Sequence, residues 1–411
     1  MQTKLSESVR DTALGQEADE ILRRCVHCGF CTATCPTYQI LGDELDSPRG
    51  RIYLIKEMLE GKEVTQTTQT HLDRCLTCRN CETTCPSGVE YGKLIDIGRT
   101  MVDQQIQRPR TEVIKRQALR MTMNAPWFAS AYRLGQMVRQ WLPETLQKKV
   151  VAKQSTGQRP ASTSHHEKQV LMLNGCVQPG MMPNIDVATM RVLDKLGVGT
   201  QVVSESGCCG ALNFHLDAQE QARSQMRANI DAWWPLIESG AVQSIVMNAS
   251  GCGAMVREYG HHLRLDPLYA EKAKVVSEHV KDIAQVLTPM AAELREKLDG
   301  ARLPGRLAFH PPCTLQHWQG LRPVTETLLK SLGLDLQPFE ETHLCCGSAG
   351  AYSVLQPEIA TALRDRKLGH LDQSKPEVIV SSNIGCIGHL QSGTQTPVKH
   401  WIEVIDQALS A

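Results

Sequence analysis

Residues 25–36 read CVHCGFCTATCP and residues 75–86 read CLTCRNCETTCP. Each is a C-x2-C-x2-C-x3-C-P run, and thiolates at that spacing are the donor set of [4Fe–4S] centres. A tight loop brings three sulfurs to three corners of a cube, while the fourth cysteine, carried off by a turn of helix, reaches a second cube. The proline that follows cannot continue local backbone pairing and turns the chain away. The spacing therefore predicts one cluster on Cys25, Cys28, Cys31 and Cys85, and another on Cys75, Cys78, Cys81 and Cys35. Zinc is the competing metal for C-x2-C pairs. Four cysteines at this spacing, used twice and each time with proline, favour the two-cluster ferredoxin pattern over it.

The remaining eight of the sixteen cysteines fall at 176, 208, 209 and 252, then at 313, 345, 346 and 386. Cys176 and Cys208 are separated by 31 residues, as are Cys313 and Cys345; the last interval is 42 residues in one set and 39 in the other. Flanking sequence repeats as well, VLMLNGC with RLAFHPPC and SIVMNASGC with VIVSSNIGC, which marks an internal duplication. Each set contains a Cys-Cys-Gly step whose glycine lets backbone N–H groups come close to the sulfurs. Cys176, Cys208, Cys209 and Cys252, and likewise Cys313, Cys345, Cys346 and Cys386, are candidate ligands of further metal or cluster sites. A redox disulfide and simple packing remain the alternatives for these eight.

The doubled C…CCG…C unit behind two ferredoxin-type runs resembles a cysteine-rich family. Its members include heterodisulfide reductase subunits and the iron–sulfur subunits of glycolate dehydrogenase, anaerobic glycerol-3-phosphate dehydrogenase and lactate-utilisation complexes. HLDRCLTCRNCETTCPSG, IDAWWPLIESGA, SGCGAMVREYG and HLCCGSAG are most similar to the glycolate oxidase iron–sulfur subunits. The resemblance implies two [4Fe–4S] clusters, with one or two further clusters at the CCG sites. It also implies FAD on a partner subunit rather than on this chain, glycolate oxidised there to glyoxylate, and a quinone or other acceptor. In the heterodisulfide reductase pattern a fifth cysteine follows the last one. Here those positions are Met255 and His389, so a five-thiolate site is in question and His389 becomes a further candidate ligand.

The elements that must carry these residues can be read from pattern. Ser47 suits an N-cap and Pro48 a first helical position. Ile52, Leu54, Ile55, Met58 and Leu59 then form an apolar helical stripe, so the 39 residues between Cys35 and Cys75 make a helical ferredoxin. Arg49 and Arg51 either face the clusters, where they would raise their potentials, or are solvated. Beyond residue 168, short apolar runs (VLMLNG, TQVVSES, SIVMNAS) alternate with amphipathic helices such as DVATMRVLDKLG, the mark of βαβ units. Parallel strands present functional groups at their carboxyl ends, which would gather each cysteine set in one crevice. The expected fold class is α+β and α/β multidomain: an α-helical two-cluster ferredoxin followed by a duplicated βαβ-type cysteine-rich domain. The expected boundaries are 1–105 for the ferredoxin with its polar N-terminal helix, 106–168 for a connector and linker, 169–300 for the first CCG repeat and 301–411 for the second.

Within the connector, residues 108–153 hold ten Lys or Arg against Glu112 and Glu144, interleaved with Trp127, Phe128, Tyr132 and Trp141. Such a segment can lie on an anionic membrane surface, pack against the ferredoxin core, or dock a partner. Residues 154–168 read as a flexible polar linker.

At 41% apolar and 21% charged, with equal numbers of acidic and basic residues, the 411-residue chain is an ordinary folded protein with no electrostatic case for nucleic acid. The polar start of the chain is not a secretory signal. No apolar run reaches the ~18–20 residues of a membrane span. The expected compartment is reducing cytoplasm, with peripheral attachment to the cytoplasmic face of the inner membrane as a variant. No G-x-G-x-x-G, P-loop or serine triad is visible. The chain reads as an electron-transfer subunit, inactive alone on the organic substrate. Its rivals are the equivalent subunit of glycerol-3-phosphate or lactate oxidation, a heterodisulfide reductase-like enzyme, and a redox sensor, for which no effector module is evident.

Overall fold

A computed structural model describes residues 1–147, 150–161, 163 and 165–410. They form two compact units, residues 1–117 with 341–367, and residues 118–340 with 368–411.

The first unit is helical. Ser47 Oγ accepts the Gly50 N–H and Pro48 opens the helix Pro48–Leu59, whose Ile52, Ile55, Met58 and Leu59 are buried. They pack with Ile21 and Leu22 from Ala13–Arg24, Leu72 from Gln66–Asp73, and Leu94 and Ile95 from Tyr91–Gln105. Two of these helices approach closely at Gly98, where an added Cβ would stand 2.7 Å from the Ile55 side chain. Residues 341–367, which belong by sequence to the second repeat, pack into this unit: Tyr352 Oη donates to Arg74 O (3.0 Å) and Asn80 Nδ2 to His343 O (3.2 Å).

The second unit holds two parallel sheets. Strands β1 (Lys168–Met172), β2 (Val198–Val202), β3 (Ile245–Met247) and β4 (Val280–Asp282) lie in the order β2-β1-β3-β4. Strands β5 (Leu307–Phe309), β6 (Val378–Ser381) and β7 (Val398–His400) lie in the order β5-β6-β7. Leu336 bridges Leu307 in parallel, standing to β5 as β2 stands to β1. The duplication read from the cysteines is thus a duplication of topology. Strands such as Ile245-Val246-Met247 are buried throughout, as a parallel strand covered by helices on both faces must be.

The halves are tied where their β3 and β6 strands end. Ser250 N donates to Ser382 O (2.9 Å) and His400 Nε2 to Asn248 O (2.8 Å). Burial pulls the His400 pKa down to about 3, so the ring is a neutral donor there. Arg191 pairs with Asp406 across the same halves.

The connector divides its aromatics. Phe128 and Ala129 pack on Gly180, and Tyr132 Oη accepts the Val151 N–H (2.9 Å). Trp127 and Trp141 remain 57% and 74% exposed. Lys148 and Lys149 of the basic stretch, and Ser162 and Ser164 of the linker, lie outside the described residues. Residues 154–161 have no regular structure, yet Arg191 Nη1 donates to Thr156 O (3.0 Å) and Gln158 O (2.9 Å), which tethers them. Among the described residues no helix is long and apolar enough to cross a membrane.

Candidate metal centres

The two N-terminal cysteine loops share an uncommon backbone. His27 (φ +55°) and Gly29 (φ +85°) flank Cys28, and Thr77 (φ +51°) and Arg79 (φ +58°) flank Cys78. Left-handed backbone costs roughly 1–2 kcal/mol for a residue with a Cβ, and a β-branched threonine rarely accepts it. Matching strain in both loops curls each chain around a point and turns its sulfurs inward. Thr77 N donates to Cys75 Sγ (3.4 Å), and Tyr91 Oη, from the helix that follows, also reaches Cys75 Sγ (3.6 Å).

Two adjoining cavities result. One is lined by Cys25, Cys28, Cys31, Cys81 and Cys85, with Arg49 on its wall. The other is lined by Cys35, Cys75, Cys78 and Cys81, with Arg51, Arg79 and Tyr91. Pro48, Cys81 and Tyr91 belong to both walls. A pair of cradles, each edged by four or five cysteines, fits thiolate-held [4Fe–4S] groups. Burial raises Cys25, Cys35 and Cys81 above the ordinary thiol pKa and pushes Cys31 to about 11, so the thiolates need a cationic partner to persist there.

Arg51 is 1% exposed, which excludes the solvated reading for it. Its Nε donates to His71 O (2.7 Å), Nη1 to Thr37 Oγ1 (3.0 Å) and Nη2 to Asp46 Oδ1 (3.2 Å). Desolvation works against its charge, but Tyr91, Cys75, Cys35 and Asp46 outweigh it and hold the guanidinium protonated. Arg49 is partly exposed and pairs with Glu44 at 2.8 Å.

In the first cysteine-rich half, Cys176 follows β1, Cys208 and Cys209 follow β2, and Cys252 follows β3. The last does not lie in a loop: it is on the first turn of the helix Ser250–Arg257. Cys176 Sγ is 3.3 Å from Cys208 Sγ, and Cys209 is within hydrogen-bonding reach of both Cys208 and Cys252. Hydrogen bonds from Cys176 and Cys209, with the Gly210 and Leu212 amides, hold Cys208 well below the ordinary thiol value, while Cys176 and Cys209 are pushed up. Four gathered thiols, one primed as thiolate, fit a soft metal or a cluster.

The glycine of each CCG step has the expected task. Gly210 (φ +93°) donates its N–H to Cys208 Sγ (3.5 Å), and Gly347 (φ +88°) donates to Cys345 Sγ (3.4 Å). A Cβ on Gly347 would collide with Ala360 O. Of the second cysteine set, Cys345 and Cys346 belong to the first unit and Cys313 and Cys386 to the second, all four buried. Cys386 occupies the first turn of the helix Ile384–Gln391, matching Cys252, and His389 on that helix is half-buried.

Comparison with known proteins agrees with this geometry. The model of the 4Fe-4S dicluster domain matches residues 21–89, and that of the cysteine-rich domain matches residues 170–257 and 307–391. The glycolate oxidase iron–sulfur subunit of Escherichia coli K12 is 53% identical over 410 residues, covering 100% of this chain and 99% of that one. The chain belongs to the glycolate oxidase iron–sulfur subunit family. A probable glycolate oxidase iron–sulfur subunit of Bacillus subtilis 168 is 29% identical over 91% of this chain and 89% of its own. Lactate utilization protein A of Geobacillus thermodenitrificans is 30% identical over 54% of this chain and 92% of its own length.

In this member of the glycolate oxidase iron–sulfur subunit family, several residues that shape the sites carry no motif. Asn229, from the helix Gln219–Glu238, accepts the Gly207 N–H (2.8 Å) and donates to Cys208 O (2.8 Å) and Tyr259 Oη (3.0 Å). Tyr259 Oη donates to Cys209 O (2.9 Å). Together they fix both carbonyls of the cysteine pair. Asp46 accepts from Arg51 and Arg74 and stands 3.0 Å from His71 Nδ1. A capping-type polar residue next to a helix start gave no sign that it would be buried.

Proposed function

We propose that the chain is the electron-transfer subunit of a glycolate-oxidising complex. The reading is carried by full-length similarity to an iron–sulfur subunit together with two cysteine-lined cavities that share a wall. Cys25, Cys28, Cys31 and Cys85 would hold one [4Fe–4S] cluster, and Cys75, Cys78, Cys81 and Cys35 the other. Cys176, Cys208, Cys209 and Cys252 are candidate ligands of a further metal or cluster, as are Cys313, Cys345, Cys346 and Cys386, with His389 beside the last. Bound clusters would supply one-electron transfer. Arg49 and Arg51 place positive charge beside them, and Tyr91 donates to a ligating sulfur.

Glycolate oxidation itself is assigned to an FAD-bearing partner subunit, with a quinone or similar acceptor downstream. The segment 108–153, with its basic residues and exposed tryptophans, would hold the complex against the cytoplasmic face of a membrane.

Removing this subunit from the complex should abolish glycolate-dependent quinone reduction while leaving the FAD subunit able to bind glycolate. Full quinone reduction without it would refute the assignment. Anaerobic iron and acid-labile sulfide analysis should give at least eight iron atoms per chain, four for each ferredoxin-type cluster.

A further inference from the structure

We infer that the second cysteine-rich half binds its metal through a mixed imidazole–thiolate set in which His310 is a ligand, whereas the first half uses thiolates alone. The inference rests on reading the cysteine-rich halves as metal sites. A His310 ring nitrogen and Cys386 Sγ lie within 4.8 Å of each other. Metal–nitrogen bonds of about 2.0–2.1 Å and metal–sulfur bonds of about 2.3 Å set two such donors roughly 3.6 Å apart around a tetrahedral ion. A small adjustment of either side chain closes the remainder. His310 is 0% exposed and Cys386 6%. Burial of both leaves a metal shielded from water and from competing ligands.

The backbone fixes the pair. His310 N donates to Val380 O (2.8 Å) and Ser381 Oγ to His310 O (2.9 Å), so the histidine is locked at the carboxyl end of β5 beside β6. Cys386 is set one turn into the helix that β6 feeds, and Asn383 Nδ2 donates to its sulfur at 3.8 Å. Cys313, 9% exposed, opens the helix Cys313–Gln316 three residues after His310 and would be a further donor from that loop.

The repeat itself supplies the contrast. Aligning VLMLNGC with RLAFHPPC puts Leu173 where His310 stands. Leu173 packs against the apolar core of its half. The second half has therefore exchanged an apolar strand-end residue for a buried imidazole beside a buried thiol. Mixed His/Cys donors suit zinc, or an iron–sulfur centre whose potential is raised by histidine ligation.

The test uses the full chain purified anaerobically with its partner subunits. Wild type should carry metal beyond the eight iron atoms of the two ferredoxin-type clusters, and X-ray absorption on that metal should show nitrogen as well as sulfur neighbours. His310→Leu, which copies the first half, should lose the nitrogen neighbour and lower the metal content of the second half while both ferredoxin-type signals in electron paramagnetic resonance persist. His310→Cys should retain the metal and lose the nitrogen neighbour. Wild type with no metal beyond those eight iron atoms would overturn the inference, as would His310→Leu or His310→Cys with unchanged metal content and an unchanged nitrogen neighbour. Loss of the ferredoxin-type signals in wild type would instead count against the proposed function.

Discussion

Arg51, on the wall of the cavity edged by Cys35, Cys75, Cys78 and Cys81, forms an ion pair with Asp46 at 3.2 Å, with side-chain exposures of 1% and 0%. A buried charge left without its partner costs about 3–5 kcal/mol. Asp46→Ala strands the Arg51 guanidinium and removes the carboxylate that Arg74 and His71 also face. The variant should unfold at clearly lower urea than wild type, both proteins cofactor-loaded and anaerobic. Arg51→Lys keeps the charge but cannot span Thr37, His71 O and Asp46 together. It should be intermediate in stability, and an unchanged midpoint for Asp46→Ala would show the pair to be idle.

Asn229, 21 residues beyond Cys208, fastens the Cys208–Cys209 step from the helix Gln219–Glu238. Truncating it to Ala leaves the Gly207 N–H and the Cys208 carbonyl without this partner, and a buried orphan group costs about 1–3 kcal/mol. The expected result is reduced metal occupancy in the first cysteine-rich half, with both ferredoxin-type signals intact. Tyr259→Phe, which removes the bond to Cys209 O and the acceptor for one Asn229 N–H but leaves Asn229 on Gly207 N and Cys208 O, should show the milder version. Full occupancy in both variants would mean that the loop holds its shape without them.

Trp127, Leu134, Met137 and Trp141 are 57%, 57%, 59% and 74% exposed, and the stretch 113–143 contains no acidic residue. An apolar face with basic flanks and terminal tryptophans is the composition of an interfacial helix. Both tryptophans are more than half exposed, so replacing them by Ser should leave stability within about 0.5 kcal/mol. Co-sedimentation with phosphatidylserine vesicles should fall strongly, whereas neutral vesicles should bind little of either protein. Equal sedimentation of variant and wild type would transfer this face to a protein partner.

What the sequence discloses is what depends on near neighbours. The Ser47–Pro48 helix start and the glycine of each Cys-Cys-Gly step are local, and each stands as its residues suggest; the cysteine spacing is legible for the same reason. Thr77 and Arg79 were opaque because their left-handed backbone is imposed by the loop and runs against their own preference. Arg51 was ambiguous because an arginine is usually solvated; only the fold brings Asp46, Thr37 and the His71 carbonyl to it. The packing of residues 341–367 with the first unit likewise depends on contacts such as Tyr352 to Arg74, far apart in the chain. His310 carried no motif, since its meaning comes from a strand register that places it beside Cys386.

Asp282 gives the stability a pH dependence with a definite sign. It caps the helix Ile283–Leu287, accepting the Ala284 N–H at 2.9 Å, and is 1% exposed. Burial lifts its pKa from 3.8 to about 6, against the opposing Ala284 hydrogen bond and Arg257. The folded state therefore favours the protonated acid. That contribution is complete below about pH 4 and disappears as pH rises through about 6. A shift of about two units corresponds to about 3 kcal/mol at most. Asn keeps an oxygen for the cap and never ionises. The advantage of Asp282→Asn over wild type should accordingly be small near pH 4.5 and larger at pH 7.5, read as the difference between denaturation midpoints at the two values. A difference that stays constant with pH, or that reverses sign, would mean that the Asp282 carboxylate is not destabilised by its burial.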